Sequence, residues 1–321
     1  MNRMAILALI LVGMLLVAGC GKRDQQATET TDTGAQKKWV IGMSQCNLGE
    51  PWRVQMNKDI EEAAKQYADQ IEVIFKDAQN RTEVQQAQVR EFIQMGVDLL
   101  IISPKEARPL TQPVAEAYQK GIPVIVLDRK VEGDQYTCFI GADNVKIGRE
   151  AGKYLVQLLG GKGKVVELKG LMTSTPGQER HRGFREGIAG SQIEVIFEAD
   201  CQWLEPIAQK ETQSALARFP QIDAVYAHND PSAHGAYLAA RQEGKGREKT
   251  IKFIGIDALP HEGIRYVKEG ILTATFEYPT GGKEAIETAL KILRGEQVPK
   301  NITLGTRIYT KENVDRGGDP L

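Results

Sequence analysis

The chain is expected to fold as α/β, in two doubly wound parallel-sheet lobes. Three observations carry that expectation. Short apolar runs recur along the chain, and they are continuous rather than alternating, as in WVIGMS, LLIIS and PVIVLD; continuous runs mark parallel strands covered on both faces. Longer amphipathic stretches separate them, the signature of crossover helices. The pattern then restarts after YTCFIGAD (136–143), and 321 residues is about two domains' worth of chain.

The elements follow in order. WVIGMS (39–44) reads as a strand. Pro51 to Tyr67 places Trp52, Val54, Met56, Ile60, Ala63 and Ala64 at helical spacing, with Pro51 suited to a first turn. IEVIFK (71–76) is a strand, Thr82 to Met95 a helix, LLIIS (99–103) a strand. Leu110 to Lys120 is a helix stopped by Gly121, and PVIVLD (123–128) is the next strand. In the second half, Asn144 to Leu159 is a helix. VVELKG (165–170), IEVIFEA (193–199), AVYAHN (224–229), FIGID (253–257) and LTATFEY (272–278) are strands. Helices between and after them span about Gln178 to Ala189, Ile207 to Phe219, Ser232 to Glu243, Gly263 to Glu269 and Lys283 to Arg294. No compact repeat of solenoid length is present.

The first 37 residues differ in kind. Residues 1–19 combine Arg3 with the apolar run Ala5 to Ala18, too short for a comfortable span of about 20 residues and suited to a signal-peptide core. The run ends in Val17-Ala18-Gly19-Cys20, which resembles a bacterial lipobox, with Cys20 as the lipidated residue. Residues 20–37 hold no large aliphatic or aromatic side chain after Cys20. Such a stretch cannot bury enough surface to offset its ordering entropy, and it reads as a lipid-anchored flexible tether. The expected location is therefore extracytoplasmic, on the outer face of the cell membrane or on an outer membrane. Cys46, Cys138 and Cys201 remain beyond it; three thiols cannot pair fully, and their spacing matches no zinc pattern.

Composition and motifs narrow the function. With 41 Lys plus Arg against 42 Asp plus Glu, the chain lacks the basic excess that releases counterions from nucleic acid. His261-Glu262 is followed by Gly-Ile-Arg, so the HExxH zinc pattern fails. No G-x-S-x-G elbow occurs, and Gly160 to Lys164 is glycine-rich without P-loop spacing. No nucleophile stands beside a base. The reading is a protein without catalytic residues, metal or cofactor.

Ligands of open α/β sheets bind beyond the carboxyl ends of the strands. Those ends carry Ser44 to Arg53, Ser103 to Glu106, Asp128-Arg129, Asp143-Asn144, Met172 to Arg180, Asp200 to Trp203, His228 to Asp230, and Asp257. Asp and Asn exchange hydrogen bonds with hydroxyls, Arg offers a charged planar fork, and Trp covers a C–H face. The set fits a hydroxyl-rich ligand.

PVIVLDR (123–129), GADN (141–144), ERHRGF (179–184), VYAHND (225–230), GIDALP (255–260) and ATFEYP (274–279) occur in that order. From about Trp39 onward the chain resembles the type 1 periplasmic binding proteins, the ribose- and galactofuranose-binding lipoproteins of ABC sugar importers. SQCNLGEPWR (44–53) is closest to the galactofuranose branch. The resemblance implies two lobes joined by three hinge crossings, near Ala142–Asp143, Glu277–Tyr278 and Thr303–Thr306. The lobes would be 38–142 plus 278–304, and 143–277 plus 305–321. It also implies ligand contacts at Asp128, Arg129, Asn144, Arg180, Asn229, Asp257 and Glu277, with Trp52 and Arg53 as an aromatic-plus-Arg site, Ser44 and Asn47 at the first-strand exit, and Trp203 as the second-lobe aromatic. Only one aromatic follows the first strand here, and Glu277 stands where ribose binders use Gln. The implied partners are a pentose or hexose monosaccharide, its furanose form included, and an ABC permease with a cytoplasmic ATPase, served by a monomer. A sensory role, with the closed form presented to a receptor or histidine kinase, is the alternative. A sugar-responsive repressor is excluded by the lipobox and the lack of a helix-turn-helix.

Overall fold

The computed structural model describes residues 38–321. The signal peptide, Cys20 and the tether lie outside the described residues. Strands are β1 (Trp39–Gln45), β2 (Ile71–Asp77), β3 (Leu99–Ser103), β4 (Val124–Leu127), β5 (Cys138–Ala142), β6 (Lys162–Lys169), β7 (Gln192–Asp200), β8 (Ala224–Ala227), β9 (Lys252–Asp257), β10 (Ala274–Glu277), β11 (Asn301–Leu304), β12 (Arg307–Thr310) and β13 (Asp319–Pro320). Helices are α1 (Pro51–Lys65), α2 (Thr82–Met95), α3 (Ala107–Gln119), α4 (Asn144–Leu158), α5 (Thr175–Ile188), α6 (Glu205–Arg218), α7 (Asp230–Gln242), α8 (Gly263–Lys268) and α9 (Gly282–Leu293).

Two sheets form. One has the order β11-β5-β4-β3-β1-β2, the other β13-β12-β10-β9-β8-β6-β7. The chain changes sheet after β5, after β10 and after β11. In β3 and β4 every residue is buried, as strands covered on both faces must be.

β5 was read only as the point where the pattern restarts, and three short strands near the C-terminus escaped the sequence reading altogether. β11 runs parallel to β5, whereas β12 pairs antiparallel with β10 and β13 antiparallel with β12. The second sheet is thus parallel with an antiparallel edge. These strands hold two to four residues each, too few for a run of apolar residues to register. α5, α6 and α7 each begin two or three residues earlier than expected, because Pro176, Pro206 and Pro231 occupy the first turn. A missing N–H costs nothing there. Similarly, β6 starts at Lys162, so only Gly160 and Gly161 of the glycine-rich stretch make the turn, both at positive φ.

Close helix packing sets up the second-sheet side of the cleft. A Cβ at Gly148 of α4 would overlap the carbonyl oxygen of Arg180, and one at Gly183 of α5 would overlap that of Val145. The two backbones therefore touch, which glycine alone permits, and α5 lies against the start of α4. Among the described residues, no helix is long and apolar enough to cross a membrane.

Candidate functional site: a polar cavity between the two sheets

Strand ends and helix starts from both sheets converge on one small cavity, an empty space of about 280 Å³. Eleven residues line it: Glu50, Trp52, Arg53, Asp128 and Arg129 from the first-sheet side, Pro176, Arg180, Trp203, Asn229 and Asp257 from the second, and Tyr278 from the crossing after β10. Eight of the twelve expected contact residues are among them.

Arg53 lies in the first turn of α1, which buries it to 3% exposure. Its Nη1 donates to Asp128 Oδ2 at 2.7 Å and to Ser103 Oγ at 2.8 Å. Burial pushes the Arg53 guanidinium toward neutrality, but Asp128, Cys46 and Glu50 together outweigh it, so its pKa rises above the ordinary value. Trp52, the preceding residue, donates its Nε1–H to the Tyr278 carbonyl at 2.9 Å, and the two rings stand 5.6 Å apart. Tyr278 in turn donates its hydroxyl to the Asp128 carbonyl at 3.2 Å. Trp52 thus ties α1 to the crossing segment while covering one wall.

On the opposite side, Arg180 donates from Nε to Asn144 Oδ1 at 2.8 Å and from Nη1 to the His228 carbonyl. Its guanidinium stacks over Tyr278 at 4.7 Å and Trp203 at 5.3 Å, and Arg129 covers Trp203 at 5.5 Å. Asn229 has two jobs. Its Oδ1 caps α7 by accepting from the Ser232 N–H, and its Nδ2 donates to the Trp203 carbonyl at 3.0 Å. Asp257, the last residue of β9, stands 3.7 Å from Arg180 Nη1. Burial raises the Asp257 pKa well above the usual carboxylate range; Arg180 opposes the shift, and Asp230, Glu262 and Glu50 add to it.

Two features mark the cavity as built for a ligand. Arg53 Nε, Arg129 Nε and Trp203 Nε1 are buried without a hydrogen-bond partner, at a cost of about 1–3 kcal/mol for each such group. Acceptor oxygens would satisfy them. Asp128, Trp203 and Asp257 also hold positive φ values of 67°, 70° and 131°. Backbone strain of that kind gathers at ligand clamps and costs on the order of 1–3 kcal/mol per residue.

Four expected residues do not line the cavity. Ser44, fully buried, donates to Gln88 Oε1 beneath α2. Asn47 shapes the loop before α1, bonding Glu50 Oε1 and the Gly49 N–H. Asn144 stands behind Arg180 and orients it. Glu277 faces an outer groove of about 1280 Å³ between α1 and the loop after β9. Conversely Glu50, Pro176 and Tyr278 were not singled out. Glu50 and Pro176 sit inside polar strand-exit windows that were; Tyr278 directly follows Glu277, in the crossing after β10.

Behind Arg180 lies a second polar layer. Fully buried Glu167 bonds His181 Nδ1 at 2.9 Å and His228 Nε2 at 3.0 Å, with Arg185 at 3.1 Å. Burial works to raise its pKa, but the histidine bonds prevail and hold it at about 2.

Residues 41–297 match the model of the periplasmic binding protein domain. The chain belongs to that family. It is an extracytoplasmic family of solute-binding proteins. The ribose import binding protein of Bacillus subtilis (strain 168) is 31% identical over 96% of this chain and 99% of its own. The fructose-binding periplasmic domain of a hybrid two-component system is 45% identical, with a TM-score of 0.83 over 87% of this chain and 92% of its own. A galactofuranose binding protein is 26% identical, with a TM-score of 0.82 over 87% and 96%. The fold is that of the two-lobed, type 1 periplasmic binding proteins.

Proposed function

We propose that this protein captures a monosaccharide, a pentose or hexose in a form that includes the furanose, by closure of two lobes, and hands it to an ABC permease. The lobes are residues 38–142 with 278–304, and 143–277 with 305–321. Each contributes part of the cavity, so a sugar gripping both favours the closed form; only that differential affinity can drive closure. The observation that supports this reading best is the cavity itself. Three arginines, two tryptophans and two aspartates from both sheets converge on one small space, the mix of charged forks, acceptors and aromatic faces that a hydroxyl-rich ligand needs. The site binds and releases without chemistry. The protein acts as a monomer, held at the membrane through lipidated Cys20.

Fructose is the first sugar to try, on the strength of the 45% identity to a fructose-binding domain. That same likeness favours a second reading, in which the closed form signals to a receptor or histidine kinase. A thermal-shift panel of pentoses, hexoses and polyols on residues 38–321 tests the binding. A ligand at 100 times its Kd adds about 2.7 kcal/mol, several degrees of Tm. One strong responder with silent epimers is the expected result; a flat panel on folded, ligand-free protein refutes it. Uptake of the responding sugar by cells lacking the gene then separates import, where uptake falls, from sensing, where it does not.

A further inference from the structure

We infer that Asp230, which does not line the cavity, is the positioning residue that holds the turn presenting Asp257 to the ligand. The inference rests on the sugar-binding reading for its affinity arm only. Asp230 opens α7 and is fully buried. Its Oδ1 accepts from Thr275 Oγ1 on β10 at 2.6 Å, and its Oδ2 accepts from the Ala258 N–H at 2.8 Å. Ala258 directly follows Asp257, and both stand at positive φ, 55° and 131°. Two consecutive non-glycine residues in that region persist only where the surroundings over-determine them. The Asp230 carboxylate is the side chain that grips this turn.

The space for it is provided on two sides. A Cβ at Gly255 would overlap Asp230 Oδ1, and a Cβ at Gly263 would overlap Oδ2. One carboxylate, two glycines, a threonine and a strained turn therefore form a single device behind Asp257. It acts electrically as well. Asp257 is faced by Arg180 of α5, by Glu262 ahead of α8, by Glu50 ahead of α1 and by Asp230 of α7. Burial raises the Asp257 pKa, Arg180 opposes the shift and Asp230 adds to it, so removing the Asp230 charge lets the Asp257 pKa fall.

The test uses residues 38–321 with Asp230→Ala, Asp230→Asn and Gly263→Ala. Hydrogen exchange at the Ala258 amide, read without sugar, should be markedly faster in the Ala and Gly263→Ala variants. D-Fructose is the probe for affinity. Asp230→Ala should weaken binding about ten- to a hundredfold, whereas Asp230→Asn, which still accepts from Ala258, should stay within about threefold. In Asp230→Asn the midpoint of the affinity–pH profile set by Asp257 should move to lower pH, a shift that a purely structural role would not produce. An Ala258 amide as protected as in wild type, or an unchanged affinity and pH profile in Asp230→Ala, overturns the inference. If Asp230→Ala does not fold, the Asn and Gly263→Ala variants carry the same decision. Wild-type protein blind to D-fructose overturns the choice of sugar, and the exchange result still decides the role of Asp230.

Discussion

Asp128→Asn isolates the charge of one side chain at the centre of the cavity. Asparagine tolerates the positive φ of 67° at this position, so backbone strain does not enter. What changes is the partner of Arg53, which is 3% exposed and 2.7 Å from Asp128 Oδ2. Stripping a buried cation of its counterion costs about 3–5 kcal/mol. Glu50 Oε2, 3.9 Å from Arg53 Nε, remains as a poorer partner, which puts the loss at the lower end, about 3 kcal/mol. At an unfolding entropy of about 2.1 cal/mol/K per residue, a chain of this size loses about 5 °C in Tm, read by differential scanning fluorimetry without sugar. Binding should suffer separately. A charge-assisted hydrogen bond to a hydroxyl becomes a neutral one, and affinity should drop about ten- to a hundredfold by calorimetry. A variant melting within a degree of wild type would show that Arg53 is not held by Asp128. A variant that binds as tightly as wild type would show that Asp128 does not meet the sugar.

Glu167→Gln should lower Tm at neutral pH, and the gap to wild type should narrow on acidification. The Glu167 pKa is depressed to about 2, so its contribution is complete above the unfolded value near 4.5 and is lost as pH falls toward 2; thermal melts from pH 7 to pH 3 check this. Gly183→Ala should drive α5 off α4, where its Cβ meets the Val145 carbonyl, displacing Arg180 and lowering both Tm and affinity; a crystal structure with Arg180 unmoved would count against that coupling. Cys46, Cys138 and Cys201 are buried and free, and burial pushes the Cys138 and Cys201 thiols up to about 11 and about 12. A thiol reagent should therefore label none of them in the native state and all three in denaturant.

Much of this protein could be read from its order of residues. Continuous apolar runs and helical periodicity are local signals, and they identified β1 to β4, β6 to β10 and α1 to α9 to within a few residues; the run at β5 was read only as the place where the pattern restarts. The strand-end rule is equally local, because a parallel strand must point its carboxyl end at the cleft; Asp128, Arg180, Asn229 and Asp257 follow from it. Other matters are decided only in three dimensions. Asn229 and Asn144 look alike in sequence, each opening or capping a helix at a strand exit. Yet Asn229 reaches the cavity, while Asn144 lies behind Arg180 and is shielded by it. Glu277 and Tyr278 are neighbours and both border the outer groove, but only Tyr278, in the crossing after β10, also reaches the cavity. Asp230 is the clearest case. Beside Asn229 it reads as a helix-start residue, and its grip on Ala258, 28 positions away, exists only because parallel pairing of β8, β9 and β10 stacks their ends side by side. Residue type and spacing determine which groups can be offered at a strand end; which of them face the ligand depends on the crossings between sheets, helix packing and the pairing of distant strands, none of which any short stretch of the chain contains.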